Sequence, residues 1–467
     1  MKQGLRGGVR SPLGVEAVWL LLTVASVLPF CSAGLLALTD WAHHLASAAV
    51  VLDYEDSARG LAQHYRLALS PRPYMGLTYL LVGLGQVMPL EWAGKLVLVG
   101  YGVSWSVAIR ALVRSAPSRD PRLAWFGPLF VHGWSLAYGF VPFVCALPPA
   151  VFAVALLRRL MDRSTFGRWL ALGLSYGLSA LMHPLGVAIA VVASVGLLSA
   201  PQARWRLRGR WAVIVGVTGL LGLFATRLVP LDGARFMDAG ISTAWRWTIK
   251  HRLVDFALAY LPGNLDYLVG LVGIGALVAA IGWGRRQRPA TPDPLERAAW
   301  ALALVYLLAP VNLAVFSLRM SLLAPRLIVP LWVFCIPLVR GRRPRLCALG
   351  ATAALAHAGL LAWTHHSFDA QWGPRVAQAQ AALPVGAKVR AEVAPVQTSV
   401  LNARTVRPPE AALHVYALLG QAGFDPQIFS TPQSPIQVRS EAPAHRDRQA
   451  FDYRWVQTST TIVIKAE

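Results

Sequence analysis

The sequence predicts an all-α polytopic membrane protein of about eleven transmembrane helices, followed by a small C-terminal extracytoplasmic α/β domain. Three observations carry that expectation. Hydrophobic residues make up 55% of the 467 positions and charged residues only 14%, an apolar excess that no ordinary globular core absorbs. Long apolar stretches are broken, at nearly every second gap, by short loops rich in arginine. After Trp363 the hydropathy collapses, and short strand-like runs replace the apolar ones.

The arginine clusters fix the expected orientation. Arg110, Arg114, Arg119 and Arg122 form the first, and Arg158, Arg159, Arg163 and Arg168 the second. Arg204 to Arg210, Arg285 to Arg297 and Arg340 to Arg345 follow at similar spacing. Lys and Arg beside spans resist translocation, so these loops and the basic N-terminus (Lys2, Arg6, Arg10) are expected in the cytoplasm. The formal net charge of +22 is then topogenic rather than a nucleic-acid stripe. Cys31, Cys145, Cys335 and Cys347 lie in apolar stretches without metal-ligand spacing and read as small hydrophobes.

Spans are expected near Val15–Ala37, Leu90–Leu112, Leu123–Phe140, Phe143–Leu157, Trp169–Met182 and Leu185–Leu198. Five more follow at Trp211–Val229, Leu265–Trp283, Ala298–Phe316, Leu327–Val339 and Leu346–Trp363. The first is too long for a cleaved signal and reads as an anchor. Pro73 to Met88 is apolar enough to be another span, but counting it would invert all five arginine clusters. It is read instead as a re-entrant or surface helix within a first outer loop running from Leu38 to Pro89. A membrane domain of residues 1–363 and an α/β tail of residues 364–467 result. The tail holds a helix candidate at Pro409–Leu419 and strands at Ala387–Ala394 and Tyr453–Ile464.

Several residues can carry chemistry. Asp40, His43 and His44 open the first outer loop at i, i+3 and i, i+4 spacing, which brings a carboxylate and two imidazoles to one face if a helix starts there. Thr39 or Asp40 equally suits a plain N-cap. Asp53, Glu55 and Asp56 can share a divalent metal through oxygen ligands, or can simply be solvated. Arg72, before Pro73, would sit beside a helix N-terminus, where an anion binds readily. His183, before Pro184, lies at an outer turn between two short spans. Arg319 and Arg326 occupy an outer loop against the positive-inside trend, which points to an anionic partner such as a lipid headgroup or a lipid-linked phosphate.

An acid straight after the first span, a long outer loop, a basic-Pro step at Arg72-Pro73-Tyr74 and an outer Arg326 before a proline-containing span together resemble the GT-C glycosyltransferases. The aminoarabinose transferases and protein O-mannosyltransferases are the best-known branches of that family. The resemblance implies a polyprenyl-phosphate-linked sugar donor and an extracytoplasmic lipid, glycan or protein acceptor. It also implies Asp40 as catalytic base or its partner, and Arg72 and Arg326 near the lipid phosphate. The chain departs from the family in having Trp41 rather than a second acid after Asp40, and one proline after Arg72. A transporter or lipid flippase, and a non-catalytic envelope assembly subunit, are the competing readings. The first would need polar residues along the spans, where little stands beyond His132.

The orientation is testable directly. Single-cysteine labelling should find the 204–210 and 340–345 loops cytoplasmic and the segment after Trp363 outside. A cytoplasmic tail would overturn the assignment of sides.

Overall fold

The computed structural model describes residues 12–67, 69, 73–116, 120–227, 242–244, 264–284, 293–310, 312–315, 318–320, 323–384, 389–393, 413–421, 436–438, 453–457 and 462–466. Its helices are α1 Pro12–Val27, α2 Trp41–Leu52, α3 Leu61–His64, α4 Met75–Gly85, α5 Leu90–Arg114, α6 Trp134–Ala137, α7 Val141–Asp162 and α8 Phe166–Met182. They continue with α9 Pro184–Leu198, α10 Trp205–Arg227, α11 Asn264–Gly284, α12 Pro294–Leu308, α13 Leu323–Cys335, α14 Pro344–Ala382 and α15 Leu413–Gln421. Four helical segments among the described residues are long and apolar enough to cross a membrane: Leu13–Cys31, Leu90–Arg114, Val141–Asp162 and Pro344–Ala382.

Helix α7 is the centre of the bundle. Nearly every side chain from Val141 to Leu160 is buried, and α5, α8 and α9 pack around it. The outer helices show the opposite pattern: Leu170, Leu174 and Leu178 on α8, and Leu96, Val103 and Val107 on α5, stand exposed. Apolar stripes of this kind at helical spacing belong against lipid, and they define a helical membrane protein.

The helix ends sort into two groups. Arg110 and Arg114 at the end of α5 both pair with Glu16 at the start of α1. Arg159 and Arg168 lie within electrostatic reach of each other, and Arg159 also of Arg114. Arg340 pairs with Glu296, and Arg297 donates to the Ser199 carbonyl at 2.8 Å. The arginine loops therefore share one end of the bundle. The ends of α1 and α8 and the starts of α7, α9 and α13 lie at the other.

One expected span is not a helix. Leu123–Phe140 breaks into short 3-10 turns at Pro121–Phe126 and Pro128–Phe130, followed by the four-residue α6. Gly127-Pro128 and His132-Gly133 interrupt any continuous α-helical ladder. The segment nevertheless runs alongside α1. Trp125 donates to the Val15 carbonyl at 3.2 Å, His132 Nε2 to the Ser26 carbonyl at 2.5 Å, and Thr39 N–H to the Ala137 carbonyl at 3.0 Å. Val15 to Ser26 is a rise of about 16 Å. A non-helical crossing is tolerated only where protein satisfies its backbone. Here Tyr101 donates to the Val131 carbonyl at 2.8 Å, and His357 hydrogen-bonds the Leu129 backbone.

The first loop is also more structured than an exposed connection. Trp41, Ala42, Leu45, Ala46 and Ala48 of α2 are buried, and Gly94 of α5 lets Trp41 approach so closely that a Cβ there would lie 2.6 Å from the indole. Helix α4 has 11 residues, about 16 Å, and cannot cross a bilayer alone. Between α1 and α2, the 34–38 stretch is fastened residue by residue. Asp369 accepts from Gly34 and Leu35 N–H at 2.7 and 2.9 Å, Tyr416 donates to the Leu36 carbonyl, and His365 Nδ1 accepts from Ala37 N–H.

Two further expectations change. Helix α14 runs 39 residues, about 58 Å, straight through the expected boundary between residues 363 and 364 to Ala382. The fall in hydropathy there records departure from lipid, since helicity persists. The expected Ala298–Phe316 span ends at Leu308, and Asn312–Val315 (β3) pairs antiparallel with both Ser242–Ala244 (β2) and Leu318–Met320 (β4). Past α14, Val389–Val393 (β5) pairs parallel with Tyr453–Gln457 (β7), which pairs antiparallel with Ile462–Ala466 (β8). Ile436–Val438 (β6) pairs antiparallel with Tyr65–Leu67 (β1) of the first loop, so the two segments share a ladder.

The crossing segment makes a measurable demand on its donors. Tyr101→Phe leaves the buried Val131 carbonyl without its hydroxyl donor and should lower stability by about 1–3 kcal/mol. Denaturant unfolding of the purified protein in detergent measures it; an unchanged midpoint would show that the bond contributes nothing.

Candidate functional site

The turn at the end of the broken crossing holds Asp40 in place. Gly139 has φ +88°, and a Cβ there would fall 2.4 Å from the Asp40 nitrogen, so only glycine permits this approach. Thr39 bonds the Ala137 carbonyl through both N–H and hydroxyl. His44 Nε2 donates to the Gly139 carbonyl at 3.1 Å. Asp40 stands at the N-cap position of α2 yet makes no side-chain cap bond to the helix backbone. Its carboxylate lies within electrostatic reach of Arg326.

Arg326, in the first turn of α13, is 7% exposed. Its guanidinium carbon lies 3.5 Å from the centre of the Phe140 ring and 5.7 Å from that of Phe143. Among the described residues no carboxylate closes an ion pair with it, and its Nε is buried without a hydrogen-bond partner. A buried guanidinium packed on aromatic faces without a carboxylate in ion-pair contact is poorly compensated. Tyr74 and Tyr138 are near enough for their phenols to interact with it electrostatically. Tyr74 has φ +74°, the one positive value among the described non-glycine residues, and its ring meets His183 edge-on at 4.5 Å. Burial pushes the Tyr74 phenol up to about 12 against the pull of Arg326, so it is a neutral hydroxyl.

His183 supplies the decisive detail. It is the N-cap of α9, ahead of Pro184, and its Nδ1 accepts the Leu185 N–H at 3.0 Å. A nitrogen that accepts carries no proton, so the neutral ring is protonated on Nε2. Burial, and then the nearby Arg326, hold His183 well below its usual pKa, which keeps it neutral. Nε2 lies 3.5 Å from Arg326 Nη1. Two buried donors therefore face each other, an arrangement suited to an oxyanion that accepts from both.

The structure thus brings Asp40, His44, His183 and Arg326 to one end of the bundle, while His43 is buried within α2. Arg72 lies outside the described residues. Arg319 stands on β4 opposite Ala314. Of Asp53, Glu55 and Asp56, expected as a possible divalent-metal group, Asp53 and Asp56 both pair with Arg59. No cluster able to hold a metal occurs among the described residues. Sequence reading overlooked Tyr138, Gly139, Phe140 and Phe143, although the Gly139-Phe140-Val141-Pro142 run was a visible turn signal.

The fold and site define a polytopic helical membrane protein with a buried, anion-suited pair of donors at the end opposite its arginine loops. Comparison with family models, curated proteins and solved structures finds no match to this chain.

Burial lowers the His44 pKa to about 4, partly offset by its bond to Gly139. Its depressed folded value means that stability is fully present above the unfolded value near 6.5 and is lost as pH falls toward 4. Thermal unfolding between pH 7 and pH 4.5 should show this loss, and His44→Gln should flatten it. An equally steep fall in the variant would assign the loss to other groups.

Proposed function

We propose that the chain is a membrane glycosyltransferase that moves a sugar from a polyprenyl-phosphate carrier to a lipid, glycan or protein acceptor on the extracytoplasmic face of the cytoplasmic membrane. The observation that carries this reading is the donor pair of His183 Nε2–H and Arg326, buried beside aromatic rings with the Asp40 carboxylate in electrostatic reach. A phosphate of an apolar carrier is both anionic enough to satisfy the donors and lipid-borne enough to reach them.

The reaction is a single displacement at the sugar's anomeric carbon. The acceptor oxygen forms the new bond as its proton passes to Asp40, and the bond to the carrier phosphate breaks with its electron pair leaving on phosphate oxygen. Arg326 and His183 stabilise that developing charge. Asp40 takes this proton in the proposed reaction, because His44 commits its Nε2 proton to the Gly139 carbonyl and burial lowers its pKa to about 4. His44 then fixes the turn against which Asp40 rests. The polar groups at depth favour this reading over transport, because Tyr101, His132 and His357 are engaged by carbonyls of the protein itself.

The test is sugar transfer in membranes holding equal amounts of each variant. Asp40→Asn should lower the rate by at least about 10². Arg326→Ala should weaken donor binding roughly ten- to hundredfold with insertion and expression near normal. Parental rates in the Asn variant would remove Asp40 from the chemistry.

A further inference from the structure

The start of helix α10 reads Arg204-Trp205-Arg206-Leu207-Arg208-Gly209-Arg210. All four arginines are exposed, and among the described residues no carboxylate forms an ion pair with any of them. No acidic residue stands in the first turn of the helix either. Arg208 turns back to the protein, where its Nη2 donates to the Ala200 carbonyl at 3.4 Å. Arg206 and Arg210 do not; each lies over an indole instead.

The guanidinium carbon of Arg206 is 5.6 Å from the centre of the Trp205 ring, and that of Arg210 is 6.0 Å from the Trp169 ring of α8. Trp205 is 75% exposed, so its stack stands at the surface. Trp211 Nε1 donates to the Tyr176 hydroxyl at 3.0 Å, which ties the same end of α10 to α8. Tryptophan and arginine together are the residues of a membrane–water boundary.

Below them the surface changes character along one face. Arg206 and Arg210 are four residues apart and therefore neighbours on the helix. Val213, Val217 and Leu220 continue that face at helical spacing, and all three are exposed. From Arg210 to Leu220 the rise is about 15 Å, which is half of a hydrocarbon core roughly 30 Å thick. The stripe is one leaflet long.

This order of groups discriminates between ligand classes. A soluble anion would satisfy the arginines but gain nothing from the apolar stripe. A zwitterionic lipid would cover the stripe but bring its own cation to the arginines. A lipid with a net negative headgroup meets both.

We propose that this face of α10 binds an anionic phospholipid, with its phosphate at Arg206 and Arg210 and its acyl chains along Val213, Val217 and Leu220. The occupant is a lipid of the leaflet at the arginine end of the bundle. The face is separate from the buried Arg326–His183 pair and does not depend on the proposed transfer reaction.

Photolabelling of the full-length protein in phosphatidylcholine nanodiscs tests it. The probes are phosphatidylglycerol and phosphatidylcholine carrying the same diazirine-bearing acyl chain, and the readout is labelling of residues 211–221 by peptide mass spectrometry. The phosphatidylglycerol probe should label this stretch in preference to the phosphatidylcholine probe. Unlabelled phosphatidylglycerol should compete, whereas glycerol phosphate, the soluble headgroup, should not. Arg206→Gln combined with Arg210→Gln should weaken the phosphatidylglycerol signal roughly thirtyfold, while Arg342→Gln combined with Arg345→Gln should leave it unchanged. Raising the salt concentration should reduce the preference in the parent protein, which needs no substitution. Equal labelling by the two probes, full competition by glycerol phosphate, or a preference that survives loss of Arg206 and Arg210 overturns the proposal.

Discussion

The structure depends on satisfying the backbone of one irregular crossing. Residues 121–140 pass alongside α1 in short turns, and each carbonyl left over by the missing helix must find a donor inside the protein. Tyr101 and His357 meet this requirement at Val131 and Leu129, while His132 of the crossing ties it to α1 through the Ser26 carbonyl. The same crossing ends in the Ala137–Gly139 turn, whose carbonyls receive Thr39 and His44 and whose glycine accepts the backbone of Asp40. A helix in its place would have left neither the carbonyls nor the left-handed glycine to seat the start of α2.

At the opposite side of Asp40 the constraint is charge. Arg326 is buried against Phe140 and Phe143, and its polar neighbour His183 presents a proton rather than a lone pair. That orientation follows from the N-cap of α9, a local feature of helix architecture that sets the chemistry of a residue far away in sequence. Secondary structure and recognition are here one decision: the bond that starts a helix also chooses which ring nitrogen faces the guanidinium.

Much of the bundle was legible because hydropathy reports burial against lipid. The expected Leu90–Leu112, Trp169–Met182 and Leu185–Leu198 differ from Leu90–Arg114, Phe166–Met182 and Pro184–Leu198 by only a few residues. Leu123–Phe140 misled because apolar composition shows that a segment is buried, not that it is helical; its Gly127-Pro128 step carried the missing information. Hydropathy failed in the other direction along α14, which stays helical past Trp363, where its apolar content falls. The acids at 53–56 were read without Arg59, three residues on, which neutralises two of them. Arg326 and His183 could be singled out separately, but their meeting required the packing of α13 beside the α8–α9 turn.

Helix α14 carries His357, His365 and Asp369 on a single uninterrupted rod; His357 bonds the broken crossing, and His365 and Asp369 bond the 34–38 stretch. Such a rod is a ruler as well as a support. One residue inserted between His357 and Asp369 would advance everything beyond it by about 1.5 Å and swing it through roughly 100°. The crossing would keep its donor while the stretch before Asp40 lost its carboxylate clasp. Evolution can therefore lengthen the loops of this protein with comparative freedom, but this stretch of α14 can change its letters far more easily than its length.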